Sequence, residues 1–78
     1  MILRLNQIVK IVITKSAIHG IHKVQLIDEK NDKIDDYYQA VLIVPPGTGK
    51  VFYEGLHVTG RVLRIKGTSL DLLYQKSV

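Results

Sequence analysis

The sequence predicts an all-β domain folded as a small five-stranded barrel. Three observations carry that expectation. Ile, Val, Thr and Tyr dominate over Ala, and these residues fit a pleated, half-buried surface better than a helix. Apolar and polar residues alternate with period two through several stretches. The chain has 78 residues, enough for one domain spanning 1–78. An open sheet of that size would leave two edges unpaired, and closure removes them.

The elements follow in order. Leu3, Leu5, Val9, Ile11 and Ile13 recur at period two, with Gln7 interrupting, and Arg4, Asn6, Lys10 and Thr14 lie between them. The pattern predicts a half-buried first strand of about a dozen residues, roughly twice the common length, which has to bend to serve more than one neighbour. Ser16 and Ala17 turn the chain. Ile18, His22, Val24 and Leu26 then alternate with His19, Lys23 and Gln25, a second strand in which Gly20 marks a bulge or sharp coil. Residues 29–36 form an acidic loop with Asn31-Asp32 as its turn. Residues 37–44 read as a third strand, apolar on both faces apart from Gln39, so central or covered. Pro45-Pro46-Gly47-Thr48-Gly49 breaks regular structure. Val51 to Glu54 fits a short strand or a single helical turn. Residues 56–66 read as a fourth strand, with Gly60 permitting a bend or close packing. Lys66-Gly67-Thr68-Ser69 is a hairpin turn. Leu70, Leu72 and Tyr74 form the inner face of a fifth strand, with Asp71 and Gln75 outward.

A long bent strand, a hairpin, a loop, a third strand, an irregular connection and a terminal hairpin together resemble the OB-fold (oligonucleotide/oligosaccharide-binding). Gly55-Leu56-His57-Val58-Thr59-Gly60-Arg61-Val62 is similar to the entry of the fourth strand in many single-stranded-DNA-binding and anticodon-binding OB domains. The likeness covers about a third of the chain. It implies an OB-like barrel that binds oligonucleotides. The connection between the third and fourth strands is short for the helix usual there, so an SH3-like barrel is the alternative closure.

Composition removes several functions. There is no cysteine, which excludes disulfides, thiolate metal sites and cysteine nucleophiles. No apolar run reaches the roughly 18 to 20 residues of a membrane-spanning helix. The first 15 residues carry Arg4, Asn6, Gln7 and Lys10 and lack a small-residue cleavage site. A cytoplasmic protein that neither enters nor crosses a membrane is therefore expected. At about 60 residues a domain buries only about 60% of its unfolded surface, which leaves little material for a supported active site.

Three motifs invite chemistry and fall short of it. Pro45-Pro46-Gly47-Thr48-Gly49-Lys50 resembles the phosphate-binding loop of nucleotide hydrolases. That loop needs a Gly where Val44 stands, a Ser or Thr where Val51 stands, and a following helix. His19 and His22 sit three apart, on opposite faces of a strand, and His57 lies on another element. No metal site is expected, and a hydrogen-bonded, partly buried His is the simpler reading. Asp35, Asp36, Glu54 and Asp71 form no carboxylate pair on one face. Ser16, Ser69 and Ser77 have no His–Asp companions. No catalytic residue, cofactor or metal is expected.

Charge and aromatics form the stronger constellation. Residues 28–36 hold five acids against two lysines, a local net of −3. The remainder holds nine bases against two acids, a net of +7. A basic body with a pI near 9.5 suits a polyanion. Single strands are held by a positive groove plus aromatic faces on which bases stack. The candidate contacts are Arg4, Lys10, Lys23, Lys50, Arg61, Arg64 and Lys66 for phosphates, with Tyr37 and Tyr53 for stacking. Phe52 and Tyr74 are expected in the core. The expected function is non-catalytic binding of nucleic acid, single-stranded DNA or RNA. The alternative is an interaction or assembly subunit, a homo-oligomer or part of a larger complex. It is motivated by the doubly apolar third strand and by Ile21 and Ile27, read as outward.

Overall fold

Alternation becomes five strands in the computed structural model, which describes residues 3–17, 20–34 and 37–76. They are β1 (Ile8–Lys15), β2 (Ile21–Leu26), β3 (Gln39–Ile43), β4 (His57–Lys66) and β5 (Ser69–Gln75). They close in the order β1-β2-β3-β5-β4. Four of the five seams are antiparallel, and the β3–β5 seam is parallel. There is no helix among the described residues. The architecture is the all-β, five-stranded OB-like barrel expected from the sequence.

β1 closes the barrel by serving two neighbours. Its residues Ile8 to Val12 pair with β4, and Ile11 to Lys15 pair with β2. Ile11 and Val12 therefore have a strand partner on both sides. The double pairing was expected, but the strand is shorter than the dozen residues read from period two. A turn at Leu5-Asn6 interrupts, with Asn6 at φ 68°. Asn tolerates that left-handed conformation better than most residues. The Arg4 and Gln7 backbones close this turn, which leaves Leu3 in the core and Leu5 exposed.

The core fills the tube. Val9, Ile11, Ile13, Val24, Leu26, Ala40, Leu42, Val62, Leu70 and Leu72 are buried, with Phe52 and Tyr74 packed against them. Gly60 lies inside this wall. A Cβ there would stand 3.2 Å from the Leu72 Cβ and 3.3 Å from the Leu42 Cδ1. Close packing, not a bend, is what this glycine permits.

A bulge in β4 decides which charges reach solvent. Val62 faces Leu72, yet Arg64 faces Asp71 and Ile65 faces Leu70, so Leu63 is the extra residue. Strict alternation would put Arg64 in phase with Gly60 and Val62, inside. The extra residue reverses the phase. Arg64 and Lys66 become exposed, and Ile65 turns toward the core.

Other boundaries shift modestly. β2 starts at Ile21, after Gly20 at φ 76°. The glycine thus serves the turn before the strand. Ile18 and His19 lie outside the described residues. β3 begins at Gln39, not at residue 37. Val51 to Glu54 is neither strand nor helical turn. Ile27, expected outward, is only 3% exposed. Its N–H donates to the Lys10 carbonyl at 3.1 Å and it bridges to Lys33, which folds the chain past the end of β2 over the barrel mouth.

The tight wall at Gly60 gives a direct test. Gly60→Val should lower the free energy of urea unfolding by about 1–3 kcal/mol, the usual cost of overpacking. Unchanged stability would show that the Leu72 and Leu42 side chains are not where the structure puts them.

Candidate nucleic-acid interface

Outward residues of β4 and its neighbours bring five of the candidate cations onto one wall. Lys10 on β1 faces Thr59 across the β1–β4 seam, and Arg61 faces Ile8. Arg64 and Lys66 follow along β4 beyond the bulge. The segment before β1 continues the same seam. Asn6 N–H donates to the Val62 carbonyl at 2.7 Å, and Val62 N–H to the Gln7 carbonyl at 2.9 Å. Arg4 therefore joins the wall at its far end. Arg61 is held by a guanidinium hydrogen bond to the Asn6 Oδ1 at 3.2 Å. β1 and β4 carry five Lys and Arg residues and no Asp or Glu.

Acids border this wall on both flanks. On the β1 side, Ile27 N–H bonds to Lys10, which sets Asp28 and Glu29 beside Ile8 and Lys10 around a shared surface hollow. On the β5 side, Asp71 is the cross-strand neighbour of Arg64. The basic surface is therefore a stripe about two strands wide. The Asp28 carboxylate is turned inward on its own loop, accepting from the backbone N–H groups of Lys30 at 2.8 Å and Asp32 at 3.0 Å. This fixes the expected turn, with Asn31 at φ 67°.

The remaining candidates lie elsewhere. Lys23 is on β2, one row from Asp71 with Val41 between them. It lines a shallow cleft of about 490 Å³ with Tyr38 and Gln39. Lys50 sits at the opposite barrel end, in the β3–β4 connection. The two tyrosines do not meet. Tyr53, 55% exposed, lies just before β4, where Gly55 N–H bonds to the Ile13 carbonyl at 2.8 Å. Tyr37, 56% exposed and edge-on to Tyr38, precedes β3 next to the β4–β5 turn. Gln39 N–H fixes that placement through a 2.7 Å bond to the Thr68 carbonyl. The tyrosines thus bracket β4 from its two ends.

Among the described residues one polar side chain is buried. His22 is 4% exposed, in phase with Val24 and Leu26, so it points inward at the barrel end. Its Nδ1 accepts from Ala17 N–H at 3.0 Å, and Ser16 Oγ lies 3.3 Å away. The Ser16 hydroxyl can donate to the Phe52 carbonyl at 3.2 Å. The imidazole stacks on Phe52 with centroids 5.2 Å apart, and Phe52 meets Tyr74 edge-on at 5.1 Å. This ring stack plugs the end of the barrel. His57 is exposed, and the described residues contain no group of three or more metal-ligating side chains.

The sequence reading missed Lys76 and the width of the stripe. Lys76 shares a hollow with Lys50 and Tyr74. Nothing in a lone Lys after the last strand signals that. Comparison with protein-family models, curated proteins and solved structures finds no match for this chain.

His22→Phe separates the roles of the buried ring. The stack on Phe52 is retained, but Ala17 N–H loses its acceptor. Stability should fall by about 1 kcal/mol, and the Ala17 amide should exchange with deuterium faster than in the parent protein. An unchanged Ala17 exchange rate would contradict the Nδ1 bond.

Proposed function

We propose that this protein binds single-stranded nucleic acid along the β1–β4 wall and catalyses no reaction. The observation that carries the reading is the acid-free stripe of Lys10, Arg61, Arg64 and Lys66, extended by Arg4. A strand of phosphates laid along β4 is neutralised by these side chains. Tyr53 and Tyr37 offer ring faces to bases at its two ends. The stripe is narrow, because neighbouring strands are only about 4.8 Å apart. Two phosphate lines across a major groove about 12 Å wide would overrun it onto Asp71 or onto Asp28 and Glu29. One backbone fits between them. The strand order, with its parallel β3–β5 seam, supports placing the chain among OB-fold oligonucleotide binders. Lys23 and Lys50 are off this path and contribute only to the general field.

Fluorescence anisotropy with a labelled oligothymidine or oligouridine across a salt series tests the proposal. Affinity should fall linearly on a log–log plot, by about 0.7 in slope for each phosphate contact. Replacing Lys10, Arg64 and Lys66 together by Gln should reduce the slope by about 2. A Lys33→Gln control on the acidic loop should leave it unchanged. No affinity for any oligonucleotide at low salt rejects the reading.

A specific observation favours assembly as the second reading. Ile8, Leu73, Ile43 and Ile21 stand in one outward row around the barrel, interrupted by Arg61. Ile8 and Ile21 are 52% and 51% exposed. Light scattering decides between them: we expect a monomer whose oligonucleotide affinity depends on salt. An obligate oligomer without that affinity would transfer the function to the apolar row.

A further inference from the structure

The barrel end plugged by His22 carries a cleft of about 550 Å³ between the β1–β2 turn and the β3–β4 connection. Ser16, His22, Val44, Gly49, Lys50 and Phe52 are among its lining residues, and no acid lines it. Its lining includes hydrogen-bond donors. Ala17 N–H occupies the Nδ1 lone pair of His22. The neutral ring therefore carries its proton on Nε2. Among the described residues no group accepts from Nε2, yet no buried side-chain nitrogen or oxygen lacks a partner. The Nε2–H therefore reaches open space, and the cleft is the space His22 lines.

The loop adds more donors. The turn at Pro46-Gly47 engages the Thr48 N–H, and among the described residues the N–H groups of Gly47 and of residues 49–54 reach no backbone acceptor. Gly47 and Gly49 stand at φ 81° and 75°. Single left-handed residues in a loop turn neighbouring N–H groups toward one side, a concave arrangement that suits an anion. The Thr48 hydroxyl, donating to the Pro45 carbonyl at 2.6 Å, fixes the loop between these glycines. Gly20 anchors its base: Val44 N–H donates to the Gly20 carbonyl at 2.8 Å, and a Cβ at Gly20 would stand 3.1 Å from the Val44 carbonyl oxygen. Lys50 supplies a full positive charge, and Lys76 lies in the adjoining hollow.

We propose that this cleft is a phosphate-monoester site, in which the His22 Nε2–H, the loop N–H groups and Lys50 hold the dianion while Phe52 and Val44 contact the ester's organic part. The site is separate from the β1–β4 wall and does not require strand binding there. Its organisation also differs from a phosphate-binding loop of nucleotide hydrolases. The donors come from an irregular connection and a strand histidine, with no helix behind them. A free phosphate ester and the phosphorylated end of a nucleic-acid strand share this chemistry.

Nitrogen–proton correlation spectra of the full chain, titrated with inorganic phosphate at constant ionic strength against chloride, test the site. Saturable shifts are expected at the amides of residues 47–54 and at the His22 ring nitrogens. Lys50→Gln should weaken the apparent affinity about tenfold, the effect of losing one charge-assisted hydrogen bond. Lys10→Gln with Arg64→Gln should leave it unchanged, which separates this site from the wall whether or not the wall binds nucleic acid. Adenosine 5′-monophosphate and a 5′-phosphorylated oligothymidine, compared with its 5′-hydroxyl form, identify the source. A gain confined to the phosphorylated oligonucleotide assigns a strand end, and equal affinities assign a free ester. Absence of saturable shifts at residues 47–54, or shifts indifferent to Lys50→Gln, or shifts abolished by the wall variants, overturns the proposal.

Discussion

Closure rests on β1 being flanked by two strands along the same stretch. Ile11 faces Leu26 on one side and Val58 on the other, and Val12 faces Gln25 and His57. Without that overlap an eight-residue strand could not reach both neighbours, and two edges would be left open. The overlap demands strong coiling. The bulges at Thr14 and Leu63 supply some of it, since a bulge increases local twist. They also set the phase of everything beyond them. The exposure of Arg64 and Lys66 is therefore a consequence of closure, as much as the burial of Ile65 is.

A tube this narrow is filled by its own side chains, so chemistry is confined to the outer wall and the ends. The outer wall is chemically uneven because strand order, not sequence order, decides lateral neighbours. β4 sits between β1 and β5, and each brings its own charges to the shared surface. The end of the barrel is uneven for a different reason. The short β3–β4 connection covers the opening with one aromatic, Phe52, and leaves the N–H groups of Gly47 and of residues 49–54 without a backbone acceptor among the described residues. An unpaired N–H on an exposed loop is satisfied by water and costs little. One beside a cation and a buried imidazole donor lies in a field that favours an anion.

Much of the fold was legible because period two speaks directly to face. The inner residues of β5, Tyr74 among them, follow from it. The sequence leads to one partly buried, hydrogen-bonded histidine without saying which; the structure makes it His22, which shares the inner phase of Val24 and Leu26. Leu5 and Ile27 were misread for one shared reason. Alternation continues through a left-handed Asn6 turn, and past the end of β2, without any change in residue type. The site was legible in part. Residue chemistry marks Arg61, Arg64 and Lys66 as candidates. It does not mark Asp71 as their neighbour, because that contact follows from strand pairing across the β4–β5 bulge. The separation of Lys23 from the stripe likewise depends on the parallel β3–β5 seam, which joins residues about thirty positions apart.

Those neighbours govern how far net charge matters. At physiological ionic strength the Debye length is about 8 Å, while the molecule extends 31 Å. A phosphate on β4 therefore responds to the side chains within a strand or two and scarcely to the overall +4. Lys10 shares its surroundings with Asp28 and Glu29, and Arg64 shares its own with Asp71. Lys66, opposite Ser69, has no such partner across the seam. The acids do not cancel the stripe, since the cations lie along it and the acids beside it. They raise the potential energy of any polyanion that drifts sideways. The same acids that lower the protein's net charge thus narrow the positive stripe to the length of β4, where the proposed strand would lie.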